Sequence, residues 1–316
     1  MKITLLLPPG EYLKNLTGFL TGFKEDVYLF TELNQEAIEK LETTDILVST
    51  PFFPLRRDIL QRMKNLKFVQ VASTGYDHLD VDYLKERGII VANVPDANDE
   101  SVAEYVIMVM LVFLKRFDYS LASTKAGKWV LGEIANTTYD LKDKIVGILG
   151  MGRKGKALAK RLINFECTII YHDIIKLSEE DEIRFGASYV DLDKLFQYSD
   201  IISIHLPLNN STKNLVNMDL LKKAKPNCFI INTSRGEIVN TNDIIEALDK
   251  GIIAGYATDV YAKEPPDPND PLLKHPKVIA TPHQAGVSKD ATLRIAQKSF
   301  ANILLFLQGG KPLNQI

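Results

Sequence analysis

Lys144-Ile145-Val146-Gly147-Ile148-Leu149-Gly150-Met151-Gly152-Arg153-Lys154-Gly155 is the stretch whose reading decides the fold. A run rich in Ile and Val reads as a buried strand. The G-x-G-x-x-G turn after it opens a helix bearing Ala157, Leu158, Ala159 and Leu162. In that setting Gly150 permits the tight turn, Gly152 lets backbone approach a pyrophosphate, and Gly155 lets helix and strand pack closely. The N–H groups at the helix start then face the phosphates. A second strand ends at Tyr171-His172-Asp173, which puts a carboxylate about 20 residues past the first glycine, where ribose hydroxyls are bound. A 2′-phosphate there would meet like charge, and Ile174 and Ile175 offer no guanidinium to offset it, so the pattern favours NAD over NADP; Lys176 is the nearby cation. Arg153 and Lys154 count with the glycines as cofactor-binding positions, Lys154 standing where an apolar residue is more usual.

Outward from this unit, apolar runs continue at Thr168 to His172, Ile201 to His205, Phe229 to Asn232, Ile253 to Thr258 and Val278 to Ala280. A separate series precedes it at Ile3 to Leu7, Val27 to Phe30, Ile46 to Ser49, Phe68 to Ala72 and Ile89 to Ala92. Continuous apolar strands alternating with amphipathic stretches specify parallel sheets covered on both faces. With 316 residues the chain is long for one core. The expected fold is therefore α/β, with two doubly wound parallel-sheet domains and a cleft between them. One is a flavodoxin-like substrate domain of residues 1–98 plus 288–316, discontinuous in sequence, and the other a Rossmann NAD-binding domain of residues 99–287. A helix from about Glu100 to Arg116, capped by Asn98 or Asp99, is expected to cross between them, and one from about Ser288 to Leu307 to return.

Composition removes other classes. Thirty-eight basic residues against forty acidic give a net charge of -2 with no long run of either sign, so no footprint for nucleic acid appears. Met1 to Leu7 is too short for a signal segment or a membrane span, and a cytoplasmic protein without membrane contact is expected. Cys167 and Cys228 lie in apolar runs and read as small buried hydrophobes, which fits a reducing compartment. The histidines show no common zinc spacing, so no metal is expected.

Four polar segments each follow a predicted strand: His205-Leu206-Pro207, Asn232-Thr233-Ser234-Arg235-Gly236, Asp259 with Glu264-Pro265, and Thr281-Pro282-His283. Loops at the carboxyl ends of parallel strands converge on the crevice where such folds bind ligands. Taken with Gly150 to Gly155, these segments resemble the signatures of the D-isomer-specific 2-hydroxy acid dehydrogenases, from about Ala72 to about Gly286. The resemblance implies that Arg235 binds a substrate carboxylate and polarises the keto oxygen, that His283 is the general acid and base, and that Glu264 pairs with it. It also implies that Asp259 receives the nicotinamide amide, and that His205, Pro207, Thr212, Thr233, Ser234 and His283 line the cofactor.

Ala72 to Asp80 resembles the family's substrate loop, where Ser73, Thr74 and Gly75 would grip the carboxylate through backbone N–H groups. Asn93 to Glu104 resembles a hinge, with Asp96-Ala97 in place of the frequent Pro-Gly and Tyr105 in place of a frequent histidine. Gly127-Lys128-Trp129 resembles an arm used for dimer contacts, although packing is the plainer reading for Trp129 and for Tyr76. Phe52-Phe53-Pro54 is either an apolar pocket edge or core. The implied activity is reversible hydride transfer between NADH and C2 of a small 2-keto acid, such as glyoxylate, hydroxypyruvate, phosphohydroxypyruvate or pyruvate, in a homodimer. Two rival readings are a formate- or phosphite-type dehydrogenase, and a NAD-sensing regulator or corepressor on the same fold. The formate-oxidising relatives carry glutamine where Glu264 stands, which ranks that reading low.

Overall fold

In residues Met1–Asn98 and Val287–Ile316, five short strands lie side by side: Lys2–Leu6 (β1), Asp26–Phe30 (β2), Ile46–Ser49 (β3), Phe68–Val71 (β4) and Ile90–Ala92 (β5). The computed structural model describes residues 1–21 and 25–316 of the chain. All pairings are parallel, in the order β2-β1-β3-β4-β5. This is the 2-1-3-4-5 order of the flavodoxin type. In β1, β3 and β4 both faces are covered, which is why these strands read as continuous apolar runs, whereas the edge strand β2 is largely exposed. Leu47, Val69 and Val91 enter one core with Leu41, Leu60 and Leu84, whereas Ile46, Val48 and Phe68 enter another with Leu16 and Ile303. The helix Lys289–Leu307 supplies much of the second core and stacks Phe306 on Phe68 at 4.9 Å between ring centroids. Ser288 caps its first turn by accepting from the Ala291 N–H.

Residues Asp99–Gly286 form a second compact unit around a seven-stranded parallel sheet. Its strands are Ile145–Leu149 (β6), Thr168–His172 (β7), Ala187–Tyr189 (β8), Ile201–Ile204 (β9), Phe229–Asn232 (β10), Gly255–Thr258 (β11) and Val278–Ala280 (β12). The order β12-β11-β10-β9-β6-β7-β8 reverses direction between β6 and β9, the crevice where doubly wound sheets bind ligands. The helices Asp99–Lys115 and Arg153–Leu162 pack on one face with Val146, Ile148 and Ile201. Thr241–Asp249 packs on the other with Leu149, Ile202 and Ile204. Cys228 is buried, Cys167 is half-buried, and both are free thiols.

The sequence reading misses β8, whose three residues include the exposed Ser188 and therefore lack an apolar run. His205 lies one residue beyond β9, but its N–H still donates to Leu149 O at 2.7 Å. Trp129 is a correction: at 83% exposure it packs into no core of the described residues. Tyr76 is also exposed, and of the pair Phe52-Phe53 only Phe53 packs against a core. No helix of the described residues is long and apolar enough to cross a membrane.

Candidate active site

The glycine turn is shaped by close contacts that a side chain would break. Gly150 has φ +99°, and a Cβ on it would lie 2.9 Å from the carbonyl carbon of His205; on Gly155 it would lie 2.3 Å from Gly150 O. Gly152 faces open space instead, with nothing within 4 Å of such an atom, which suits a ligand approaching the backbone. Asp173 closes the turn from β7: one carboxylate oxygen accepts from the Met151 N–H at 2.7 Å and the other from the Ile175 N–H at 3.1 Å. The helix that follows begins with two cations and no acid in its first turn. Asp99 answers both, at 3.3 Å from Arg153 Nε and 3.4 Å from Lys154 Nζ. Burial pushes the Lys154 ammonium below the ordinary lysine value, with Asp99 opposing and the charges of Arg235 and Arg153 adding to the depression.

The end of β9 flanks this turn, and the end of β10 lies one strand further along the sheet. His205 holds Ser203 Oγ at 2.8 Å through Nε2, while its Nδ1 is buried and has no partner among the described residues. Burial, helped by the Lys154 charge, lowers this imidazole to about 3, so it is neutral near pH 7. Thr233 Oγ1 is likewise buried without a partner among the described residues. Two orphaned polar atoms at neighbouring strand ends, the first of them beside the glycine turn, fit a dinucleotide that would satisfy them. Ser234 is used internally, donating to Ile204 O at 2.6 Å. Asn232 shapes the loop beyond, accepting from Ser234 N–H and donating to Arg235 O. This holds Arg235 half-buried, its Nη1 2.8 Å from Ser234 O. Gly236 is required next, since a Cβ there would lie 2.1 Å from the Tyr261 carbonyl carbon. Thr212 Oγ1 closes its own loop by donating to Pro207 O at 2.6 Å, with Pro207 exposed.

After β11 and β12 come the acid, its partner and their support. His283 Nδ1 lies 2.6 Å from Glu264 Oε2, and Glu264 Oε1 accepts from the Tyr261 N–H at 3.0 Å. Partial burial opposes the Glu264 charge, but the His283 and Tyr261 hydrogen bonds and the charges of His283 and Arg235 outweigh it. The carboxyl stays below the usual glutamate value. His283 has φ +54°, a left-handed conformation uncommon for a side-chain-bearing residue. Asp259, 1% exposed, fixes that segment by accepting from Thr281 Oγ1 at 2.6 Å, Gln284 N–H at 2.8 Å and Ala285 N–H at 2.7 Å. The partners of its carboxylate therefore belong to the stretch that carries His283. One imidazole nitrogen is committed to Glu264, which leaves Nε2 for a reacting oxygen.

Arg235, Glu264, Lys154 and His205 thus share one electrostatic neighbourhood: the Arg235 charge acts on both Glu264 and Lys154, and the Lys154 charge acts on His205. The sequence reading overlooks Tyr261, whose hydroxyl donates to Thr281 O at 2.9 Å, and treats Asp99 only as a cap. Neither has a motif; their roles arise from contacts distant in sequence. In the first unit, Ser73 Oγ donates to Gly75 O at 2.6 Å, and Asn93 Nδ2 donates to Thr74 O at 2.8 Å. These bonds hold the Ser73 to Gly75 loop through side chains and carbonyls, while the Thr74 and Gly75 amides donate to none of the described residues.

A family model described as the NAD binding domain of D-isomer specific 2-hydroxyacid dehydrogenase matches residues 107–285. A glyoxylate reductase of Thermofilum pendens is 34% identical over 88% of this chain and 83% of its own. A formate dehydrogenase of Chaetomium thermophilum is 38% identical over 93% of this chain and 87% of its own. Among solved structures, the NAD-dependent formate dehydrogenase of Staphylococcus aureus in complex with NAD superposes with a TM-score of 0.87 at 29% identity, covering 98% of this chain and 96% of that one.

Proposed function

The chain belongs to the D-isomer specific 2-hydroxyacid dehydrogenase family, and from that premise we propose that it reduces a small 2-keto acid to the D-2-hydroxy acid, reversibly, with NADH. When bound, the nicotinamide supplies the hydride that arrives at C2. The residues that hold the dinucleotide in this reading are Gly150, Gly152, Arg153, Lys154 and Gly155 at the turn and Asp173 at the ribose. Those along its length are His205, Pro207, Thr212, Thr233, Ser234, Asp259 and His283.

Arg235 binds the substrate carboxylate and polarises the keto oxygen with a charged, planar set of donors. His283 gives the proton that this oxygen needs as hydride reaches carbon, and takes it back in the reverse reaction. Glu264 holds the ring in one orientation and stabilises its charged form. Asp259 is a positioning residue for the His283 segment. For Ser73, Thr74 and Gly75 we propose a carboxylate grip, supported by the two uncommitted amides. The units divide the labour accordingly: residues 1–98 plus 287–316 form the substrate domain and 99–286 the NAD-binding domain.

The observation that carries the reading is the 2.6 Å His283–Glu264 pair under the field of Arg235. A hydroxy acid must lose an O–H proton when it is oxidised; formate, giving up hydride to leave carbon dioxide, has none to lose. A proton-handling pair therefore favours the hydroxy acid, while the 38% identity to a formate dehydrogenase keeps formate as the second reading. NADH oxidation with glyoxylate, hydroxypyruvate, phosphohydroxypyruvate and pyruvate, beside NAD reduction with formate, separates them. Turnover of a keto acid supports the first reading and formate-only turnover the second, whereas binding of NADH without any turnover supports a NAD sensor. The exposed Phe117, Trp129, Leu131 and Tyr139 support a homodimer, and the two free cysteines support a reducing cytoplasmic location.

A further inference from the structure

Arg153 and Lys154 oppose the usual rule for helix starts. The N-terminus of a helix carries a partial positive charge that favours acids, yet this ten-residue helix opens on two cations and has no acid in its first turn. Arg153 is half-exposed, as a residue that would face a pyrophosphate in the dinucleotide reading. Lys154 is different: its side chain is 22% exposed and is directed to Asp99, itself 11% exposed. The turn that carries Lys154 also presses on the end of β9, where a Cβ on Gly150 would meet the His205 carbonyl. The Lys154 charge acts on the His205 ring and is felt mutually with Arg235, the residue assigned to the substrate carboxylate. Lys154 opens the helix after β6 and Arg235 follows β10, with only β9 between the two strands, so the cation lies at the same carboxyl edge of the sheet as Arg235. Asp99 is shared between Lys154 and Arg153, at 3.4 Å and 3.3 Å.

The two redox forms of the cofactor differ in charge at one place. The oxidised nicotinamide ring is a cation and the reduced ring is neutral, while the pyrophosphate and riboses are common to both. Hydride transfer to a carbon whose carboxylate is held by Arg235 requires that ring within contact distance of the same substrate. A fixed positive charge in this neighbourhood repels one form and is indifferent to the other. We propose that Lys154 is a specificity-determining residue that makes the site bind NADH in preference to NAD+, and so biases the protein toward reduction. The inference rests on the dinucleotide reading above. Two like unit charges several ångströms apart at an effective dielectric of about 20 shift an equilibrium by roughly tenfold or more. With Asp99 offsetting part of the field, the share expected of Lys154 is roughly fivefold to tenfold.

The test is equilibrium binding of NAD+ and of NADH to the full chain, by calorimetry at one salt concentration, in the wild type and three variants. Lys154→Met is expected to lower the ratio Kd(NAD+)/Kd(NADH) roughly fivefold to tenfold. Lys154→Arg is expected to keep it within about twofold, and Lys154→Gln, a second neutral side chain, to lower it as Lys154→Met does. A residue that only braces the helix would change both affinities alike and leave the ratio where it was. If the ratio of Lys154→Met stays within about twofold of wild type while both nucleotides bind, the proposal is overturned and the dinucleotide site stands. If Lys154→Met does not fold, Lys154→Gln decides alone: a lowered ratio supports the proposal and an unmoved one overturns it. Failure of wild-type protein to bind either nucleotide overturns both readings.

Discussion

Replacing Glu264 by glutamine isolates the charge in the acid/base pair from its shape. The amide oxygen can still accept from the Tyr261 N–H, so the loop keeps its anchor while the negative partner of His283 is lost. A hydrogen bond to a charged group contributes about 1.5–3 kcal/mol. The pair here is open to solvent, with side chains 41% and 35% exposed, so screening brings the expected contribution to about 1–2 kcal/mol. Expressed in the transition state, that is a roughly 5- to 30-fold loss in kcat/KM for the keto acid, with NADH affinity unchanged. His283→Ala should lose more, about 10²- to 10⁴-fold, because the proton donor itself is gone. The assay is steady-state NADH oxidation on the two single variants and the double variant. In the His283→Ala background Glu264→Gln should cost almost nothing further, since its effect acts through the imidazole. Full additivity in that cycle, or an undiminished rate in Glu264→Gln, would refute the assignment of the pair.

Three further outcomes follow from the geometry. Asp173→Asn should narrow the preference for NAD over NADP by about tenfold, read from the two kcat/KM values, by removing the charge that repels a 2′-phosphate; an unmoved ratio would remove Asp173 from the ribose site. Gly236→Ala should destabilise the protein by about 1–3 kcal/mol or more in urea unfolding, because the added methyl meets the Tyr261 backbone rather than a side chain that can swing away. The His205 ring, at about 3 in the folded chain against an ordinary 6.5, should remain neutral by nitrogen NMR at pH 5, and protonation near pH 6 would contradict its burial. Because folding lowers this value, the unfolded chain takes up the proton first. The stability contribution is complete above about 6.5 and is lost as pH falls from there toward 3.

Much of this was legible before any coordinates, for identifiable reasons. Buried parallel strands announce themselves as unbroken apolar runs, so β3, β7 and β10 are legible to the residue, and the glycine spacing carries the dinucleotide site. The strand β8 escaped because an edge strand of three residues with Ser188 turned outward has no such run. Trp129 was misread because a large aromatic usually packs; nothing local marks one that stands out from the surface. At the site, Arg235, Glu264 and His283 stood out by their order after successive strands. What the sequence withheld was the support beneath them. Asp259 tied to residues 281–285, Tyr261 reaching Thr281, and Asp99 answering two cations are contacts between segments far apart in the chain. Only folding defines them.

Isotope transfer tests the central claim most directly. With a 2-keto acid and NADH carrying deuterium at the transferable C4 position, wild-type protein should yield a 2-hydroxy acid bearing that deuterium at C2, and Arg235→Ala should yield almost none. Bound, unconsumed NADH with no labelled product from any keto acid, or label transfer that persists undiminished without Arg235, would contradict the account.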